Sequence, residues 1–180
     1  MKKPLLLALV SLFAILGSTV SAQTGFTCNS PITIAALPYS TADDTANYGD
    51  TYDVIQPSNC IADSGNFMGG NDVFYAYTPT NSETINIRMT PNQGWSGMFV
   101  YDGCANVGIS CMAGVANSGS TLREISALNV LAGHTYIIAI STYPTPQTVG
   151  YTLQVESINC FPPTAITASA ISENEISVNW

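Results

Sequence analysis

The strongest constraint on this chain of 180 residues is an alternation of apolar and polar side chains after position 22. In the stretch TINIRMT, Ile85, Ile87 and Met89 point one way, and the polar residues between them point the other way. The stretch YTLQVE at 151–156 repeats this pattern. A period of two residues is that of a β-strand with one buried face. Helical spacing is hard to find in the same region, so the sequence predicts an all-β fold.

Two further stretches, DVFYAYT at 72–78 and TYIIAIS at 135–141, are apolar on both faces, as expected of central strands in a packed sandwich. Turn signals such as Asp102-Gly103 and Ala132-Gly133 separate the strand candidates. About eight short strands with frequent turns predict an antiparallel β-sandwich. The predicted strands are Ile32–Leu37, Asp72–Thr78, Thr84–Thr90, Met98–Tyr101, Cys111–Ala116, Leu122–Leu128, Thr135–Thr142 and Tyr151–Ser157.

One long segment breaks the alternation. Residues 39–70 are rich in Asp, Asn, Gly, Ser and Thr, and they show no clear strand. A loop of this length in a compact domain is usually functional, or it is held by a disulfide or an ion.

The first 22 residues predict a signal peptide. Lys2 and Lys3 precede an apolar run from Leu5 to Leu16, and small residues follow up to Ala22. The mature chain is then expected to begin at Gln23 and to be secreted or displayed at the cell surface. No later stretch approaches the ~18 consecutive apolar residues that a membrane helix needs.

Charge excludes two classes of partner. The signal segment holds two of the four basic residues, which leaves Arg88 and Arg123 against 12 acidic residues and a net charge of −10. So few cations cannot neutralise a nucleic-acid backbone or an anionic membrane surface. Cationic ligands such as Ca²⁺ and neutral ligands such as glycans remain open.

Five cysteines in an exported chain predict disulfides. Cys104 and Cys111 bracket a short glycine-containing loop, and closing such a loop is worth about 2–3 kcal/mol. Cys28 with Cys60 is the next expected pair, and it would tie the first strand to the end of the long loop. Cys160 is then left over, or it pairs with Cys28 if the first and last strands are neighbours.

The chain divides into three parts. Residues 1–22 are the signal peptide and residues 23–159 are one β-sandwich module. Residues 160–180 contain Pro162-Pro163, which stiffens the chain, and then a new alternation that indicates the start of a second domain.

The order of several short motifs resembles a known family. DVFY at 72–75, YDGC at 101–104 and AGHTY at 132–136 follow one another as in the pre-peptidase C-terminal-like module of exported bacterial proteins that use the type IX secretion route. The resemblance covers Cys28 to about Val155. It implies a jelly-roll-like sandwich that serves as an accessory module, and it implies Ca²⁺ or polymeric substrates as ligands of some relatives.

The tail from Pro162 resembles the opening of a fibronectin type III domain, in which a strand tryptophan, here Trp180, packs into the core. So short a piece has no opposing sheet to bury it. We therefore expect the chain to be part of a longer protein.

Acidic residues are concentrated in and just after the long polar segment. Hard carboxylate oxygens around a tight loop are what Ca²⁺ selects, whereas Asp and Asn in loops also cap turns. No EF-hand spacing is present. The candidate calcium ligands are Asp43, Asp44, Asp50, Asp53 and Asp72, with Asp63 nearby, although Asp72 is also expected to accept backbone N–H groups where its strand begins.

Two aromatic residues in loops are candidate ligand contacts. Trp95 follows a turn glycine and Tyr143 lies just beyond a predicted strand, and flat aromatic faces stack on sugar rings. The alternative is that these rings cover one end of the sandwich core.

Catalysis has little support in the sequence. His134 is the single histidine, and no nucleophile elbow, zinc spacing, P-loop or dinucleotide fingerprint occurs. We expect a non-catalytic interaction or spacer module, with neighbouring domains, a polysaccharide or a surface protein as partners. The alternatives are a carbohydrate- or surface-binding adhesin module, or the accessory domain of an exported hydrolase whose active site lies beyond Trp180.

Overall fold

The computed structural model describes residues 23–53, residue 60, residues 65–158, and the backbone of 167–172 and 175–179. The predicted signal peptide, Asp63, Cys160 and Trp180 lie outside these residues. In the described parts of the chain, no helix is both long enough and apolar enough to cross a membrane.

Nine strands of the described chain form two sheets, one of five strands in the order β1-β3-β8-β5-β6 and one of four in the order β2-β9-β4-β7. Two short 3₁₀ turns, Thr45–Asn47 and Cys104–Asn106, complete this part. The strands are β1 (Ile32–Ile34), β2 (Tyr39–Asp44), β3 (Val73–Tyr77), β4 (Glu83–Pro91), β5 (Ser96–Asp102), β6 (Ala113–Asn117), β7 (Arg123–Val130), β8 (Tyr136–Thr142) and β9 (Gly150–Ser157).

The strand order is that of a jelly roll. Without β1, the sheets read β3-β8-β5-β6 and β2-β9-β4-β7, so consecutive strands mostly alternate between the sheets as two wrapped Greek keys. Every pairing among these eight strands is antiparallel, and β1 adds to the edge of β3 in parallel. The predicted all-β, jelly-roll-like sandwich is confirmed.

The main core lies between the two sheets. Alternate residues of β4 and β9 face alternate residues of β3, β5 and β8, as the period-two pattern predicts. The hydroxyls of Tyr75 and Tyr151 share a buried hydrogen bond of 2.6 Å, which satisfies both polar groups inside this core. The residues of TINIRMT and YTLQVE that were expected to be buried are Ile85, Ile87, Met89, Tyr151, Leu153 and Val155, and all are.

A second apolar layer covers the outer face of the five-stranded sheet. Phe74, Phe99 and Ile137 point outward from β3, β5 and β8, and they are buried beneath the loops. Tyr52 packs on Phe74 with ring centroids 4.9 Å apart, and Met68 is fully buried in the same layer. This layer explains why β3 and β8 are apolar on both faces.

The four predicted cysteines are disulfide-bonded, but the predicted pairs Cys104–Cys111 and Cys28–Cys60 are wrong. The bonds are Cys28–Cys104 and Cys60–Cys111, with Cα–Cα distances of 5.3 and 5.2 Å. All four lie in the outer apolar layer, where each bond ties one loop to a different loop. Sequence proximity favoured short rings, whereas the layer brings distant loops together over separations of 76 and 51 residues.

The prediction that residues 39–70 contain no strand is also wrong at their start. Residues Tyr39–Asp44 form β2, which pairs with β9 along its whole length. Because β2 is at the edge of its sheet, its backbone pairs on one side only, and its side chains can be polar. The composition of this segment therefore did not indicate a strand.

The remaining bounds differ by a few residues. The first strand ends at Ile34 rather than Leu37, and β6 begins at Ala113, after the disulfide-bonded Cys111. Two further strands, β10 (Thr167–Ser172) and β11 (Glu175–Asn179), pair antiparallel with each other. Their assignment to a fibronectin type III domain stays a prediction.

Candidate functional site

The two predicted ligand-contact residues, Trp95 and Tyr143, lie side by side at one end of the sandwich. Ser96 and Thr142 are the terminal partners of the ladder between β5 and β8. The next step outward is a hydrogen bond of 2.9 Å from the Tyr143 N–H to the Trp95 carbonyl. Antiparallel pairing therefore brings together two residues that are far apart in the sequence.

A third ring, that of Phe67, completes an aromatic cluster. The Phe67 and Trp95 rings are stacked with centroids 6.3 Å apart, and Tyr143 meets each of them edge-on at 5.1 Å. Such edge-to-face contacts are worth about 0.5–1.5 kcal/mol beyond the burial of area. Phe67 is buried, whereas Trp95 keeps 44% of its surface exposed.

The cluster lines a cavity of about 330 Å³. Its described lining is Gly65, Phe67, Trp95, Ala116, Asn117, Ser118 and Tyr143. The aromatic rings form one wall of the cavity, and the polar residues Asn117 and Ser118 form the other. Its volume is at the lower end of the range of small-molecule sites, about 300–1,000 Å³.

The turn that carries Trp95 is tightly built. Trp95 has φ of 58°, a left-handed conformation that is uncommon for a large side chain. A Cβ on the preceding Gly94 would lie 2.0 Å from the Ser118 carbonyl oxygen, so only glycine allows this approach of the β4–β5 turn to the β6–β7 turn. Both walls of the cavity are thus in backbone contact.

Sequence reasoning missed Phe67 and the β6–β7 turn. Phe67 sits in the stretch NFMGG, where no alternation indicates which side chains are buried. Ser118 belongs to a turn signal, but nothing in that signal pairs it with Trp95. The aromatic residues Trp95 and Tyr143 carried the only signal available.

The predicted calcium ligands do not form one group. Asp43 accepts hydrogen bonds from Asn47 Nδ2 and the Tyr48 hydroxyl, at 2.8 and 2.6 Å. Asp44 accepts from the Ala46 N–H at 2.8 Å and so caps the first 3₁₀ turn.

Asp50 accepts from Gln147 Nε2 at 2.8 Å, and Asp53 is exposed. In the described residues, no three Asp, Glu, His or Cys side chains come close enough to hold a metal ion. Calcium binding stays a prediction.

Asp72 is fully buried just before β3. Its Oδ2 accepts hydrogen bonds from the N–H groups of Thr51 and Tyr52, at 3.1 and 2.8 Å, as expected for a carboxylate where a strand begins. Burial raises the pKa of Asp72 to about 7, although the nearby Ser141 hydroxyl, which donates to the Gly70 carbonyl, and the hydrogen bonds from those two amides oppose the shift. The carboxyl holds the loop that covers the outer apolar layer.

His134 lies at the other end of the sandwich. Its Nδ1 is 3.4 Å from both carboxylate oxygens of Asp102, and both side chains are about half exposed. Asp102 ends β5 and Trp95 precedes it, so the strand separates them by roughly 20 Å. His134 therefore has no part in the aromatic cavity.

No protein-family model matches the sequence, and no curated protein matches it. Solved structures are similar in shape. The pre-peptidase C-terminal domain of a collagenase from Bacillus anthracis has a TM-score of 0.45 at 12% identity, with 70% of this chain and 94% of that chain covered.

Two further structures resemble the chain. The periplasmic inhibitor of g-type lysozyme, PliG, from Aeromonas hydrophila has a TM-score of 0.43 at 10% identity, with 71% of this chain and 96% of that chain covered. The GH26-CBM35 β-(1,4)-mannanase from Podospora anserina has a TM-score of 0.34 at 14% identity, with 78% and 30% covered. At these scores the fold assignment rests on the strand order of the chain itself.

Proposed function

We propose that residues 23–159 are a non-catalytic, extracellular interaction module of a larger exported protein, and that the aromatic cavity binds a saccharide. One observation carries this proposal: Trp95 and Tyr143, far apart in sequence, meet at an open cavity while Trp95 stays 44% exposed. A ring that is partly exposed beside a cavity has apolar surface available to a ligand, and exposed apolar surface in a groove often marks a binding site.

The chemistry of the lining favours a neutral sugar. The ring faces suit the apolar face of a pyranose, and the side chains of Asn117 and Ser118 can exchange hydrogen bonds with its hydroxyl groups. The net charge of −10 expected for the chain without residues 1–22 disfavours anionic ligands. The described lining contains no carboxylate, imidazole or thiol, which supports binding rather than turnover.

The wider setting is part of the same proposal. The predicted signal peptide supports export, and the four bonded cysteines suit an oxidising compartment. The type IX route, the pre-peptidase C-terminal-like family and a fibronectin type III domain after Pro162 stay predictions from the sequence. The partners within the protein are then its neighbouring domains.

Binding to insoluble polysaccharides tests the proposal. The chain is incubated with cellulose, chitin, xylan and mannan, and the bound fraction is measured for the wild type, Trp95→Ala and Tyr143→Ala. We expect retention on one polymer and at least a tenfold loss of affinity in both variants. Leu131→Ala is the matched control, because Leu131 is also about half exposed but lies in the β7–β8 turn. Equal retention of all four proteins would refute the saccharide site.

A further inference from the structure

Arg123 is the largest fully buried side chain of the described residues, and its contacts are all with neutral oxygen atoms. It begins β7, immediately beyond the turn that forms one wall of the aromatic cavity. Burial lowers its pKa. A buried cation without an anionic partner is costly, so its position needs an explanation beyond packing.

The guanidinium joins the two walls of the cavity. On one side, Nε donates to the Ser96 carbonyl at 3.0 Å, and Nη2 donates to the Ser96 hydroxyl at 3.2 Å. Ser96 directly follows Trp95. On the other side, Nη2 donates to the carbonyls of Asn117 and Gly119 at 2.8 and 2.6 Å, and Nη1 donates to the carbonyl of Thr121.

These bonds need the planar fork of arginine. Five N–H donors in a fixed plane can reach two backbone segments at once, whereas the ammonium of lysine is a single point. An apolar side chain of similar volume would avoid the cost of desolvating a charge, but it would bond neither segment. Arginine at this position therefore holds the two turns at a fixed distance from each other, which an apolar residue that only stabilised the core would not do.

We propose that Arg123 is a positioning residue, which fixes the Trp95 turn against the Asn117–Gly119 turn at the spacing that the ligand requires. This inference rests on the proposed saccharide site for its ligand. The clamp itself can be tested without a ligand. Arg123 does not contact the cavity, so it acts through Trp95 and Asn117.

The test uses the 180-residue chain with Trp180→Phe, in which Trp95 is the single tryptophan. Arg123→Lys and Arg123→Met are compared with Arg88→Lys and Arg88→Met. Arg88 is the matched control because it is the other arginine, and it lies on β4 between Glu124 and Glu156 at the surface. The readouts are the fluorescence anisotropy decay of Trp95, the affinity for the polysaccharide that the wild type retains, and the melting temperature.

We expect both Arg123 variants to show faster local motion of Trp95 and at least tenfold weaker binding at a temperature where they are fully folded. The Arg88 variants should match the parent in both. If the Arg123 variants lose only melting temperature while Trp95 motion and affinity stay unchanged, Arg123 is merely structural and the inference is overturned. If the wild type binds no polysaccharide, the proposed function fails, and the anisotropy decay alone decides whether the clamp exists.

Gly94→Ala provides a second variant that leaves Arg123 intact. The added Cβ would push the Trp95 turn away from Ser118. If spacing of the two turns governs the site, this variant should also free Trp95 and weaken binding. Unchanged motion of Trp95 in a folded Gly94→Ala protein would contradict the inference even if no Arg123 variant folds.

Discussion

The backbone N–H of Tyr143 donates to the carbonyl of Trp95 at 2.9 Å, and the two rings meet edge-on with centroids 5.1 Å apart. This pair extends the β5–β8 ladder one step beyond the last paired residues of the strands. The position of the aromatic site is therefore set by the sheet rather than by an independent loop. A rigid strand pair that orients these rings would preorganise the proposed binding surface.

Two rings of the cluster, Phe67 and Trp95, should differ in their effect on stability. Phe67→Ala removes a buried ring, and we expect it to lower the free energy of unfolding by about 3–5 kcal/mol. Trp95→Ala should cost about 1 kcal/mol or less because much of this ring is exposed. Urea unfolding of both variants measures this. Equal costs would mean that Trp95 is a core residue and not a ligand contact.

The disulfide pairs have a direct chemical check. Proteolysis without reduction, followed by mass spectrometry, should recover Cys28 linked to Cys104 and Cys60 linked to Cys111. Rings of this length stabilise a fold by about 4 kcal/mol each in the chain-entropy account. The double variant Cys28→Ser with Cys104→Ser should therefore melt well below the wild type. Peptides that link Cys104 to Cys111 would contradict the described outer layer.

Asp72 should make stability depend on pH. Because burial raises its pKa to about 7, the folded state holds a proton that the unfolded state releases near pH 4. The free energy of unfolding should therefore fall as pH rises from about 4 to 7, by at most about 1.4 kcal/mol per pH unit from this group. Asp72→Asn should remove this contribution. Urea unfolding at several pH values measures the slope.

The control for that experiment is Asp53→Asn, which alters an exposed carboxyl of the same polar segment. It should leave the slope of the wild type in place. If Asp72→Asn keeps the same slope as the wild type, then the buried carboxyl titrates normally and its pKa is not raised.

Calcium binding is checked by thermal unfolding in millimolar CaCl₂ and in excess EGTA, because an ion that binds only the folded state raises the melting temperature. A site made from the predicted carboxylates should give a higher melting temperature with calcium, and Asp50→Asn or Asp43→Asn should reduce the increase. Identical curves in both buffers would eliminate calcium as a ligand of this module.

The alternation of apolar and polar residues predicted most of the strands, because every second side chain of a half-buried strand faces the core. Ile85, Ile87 and Met89 were placed correctly for this reason. The same rule failed for β2, where Tyr39–Asp44 pair along one edge and bury little, so no apolar period marks them. The order of the strands within each sheet could not be predicted from any local pattern in the sequence.

The site was less predictable than the fold. Trp95 and Tyr143 could be selected as exposed aromatics in loops, but their contact depends on the antiparallel register of β5 and β8. Phe67 and Arg123 could not be identified as site residues from the sequence. Phe67 lies in an irregular segment, and Arg123 begins a strand with no unusual pattern. The predicted disulfide pairs were wrong for a related reason, since the outer apolar layer is assembled from loops that are distant in sequence.

The most direct measurement is a fluorescence titration of the Trp180→Phe chain, in which Trp95 is the single tryptophan, with soluble hexasaccharides of cellulose, chitin, xylan and mannan. A sugar ring that covers Trp95 should shift its emission to shorter wavelength and protect it from acrylamide quenching, in a saturable manner that Tyr143→Ala abolishes. Emission and quenching that stay constant up to millimolar concentrations of every sugar would contradict the account.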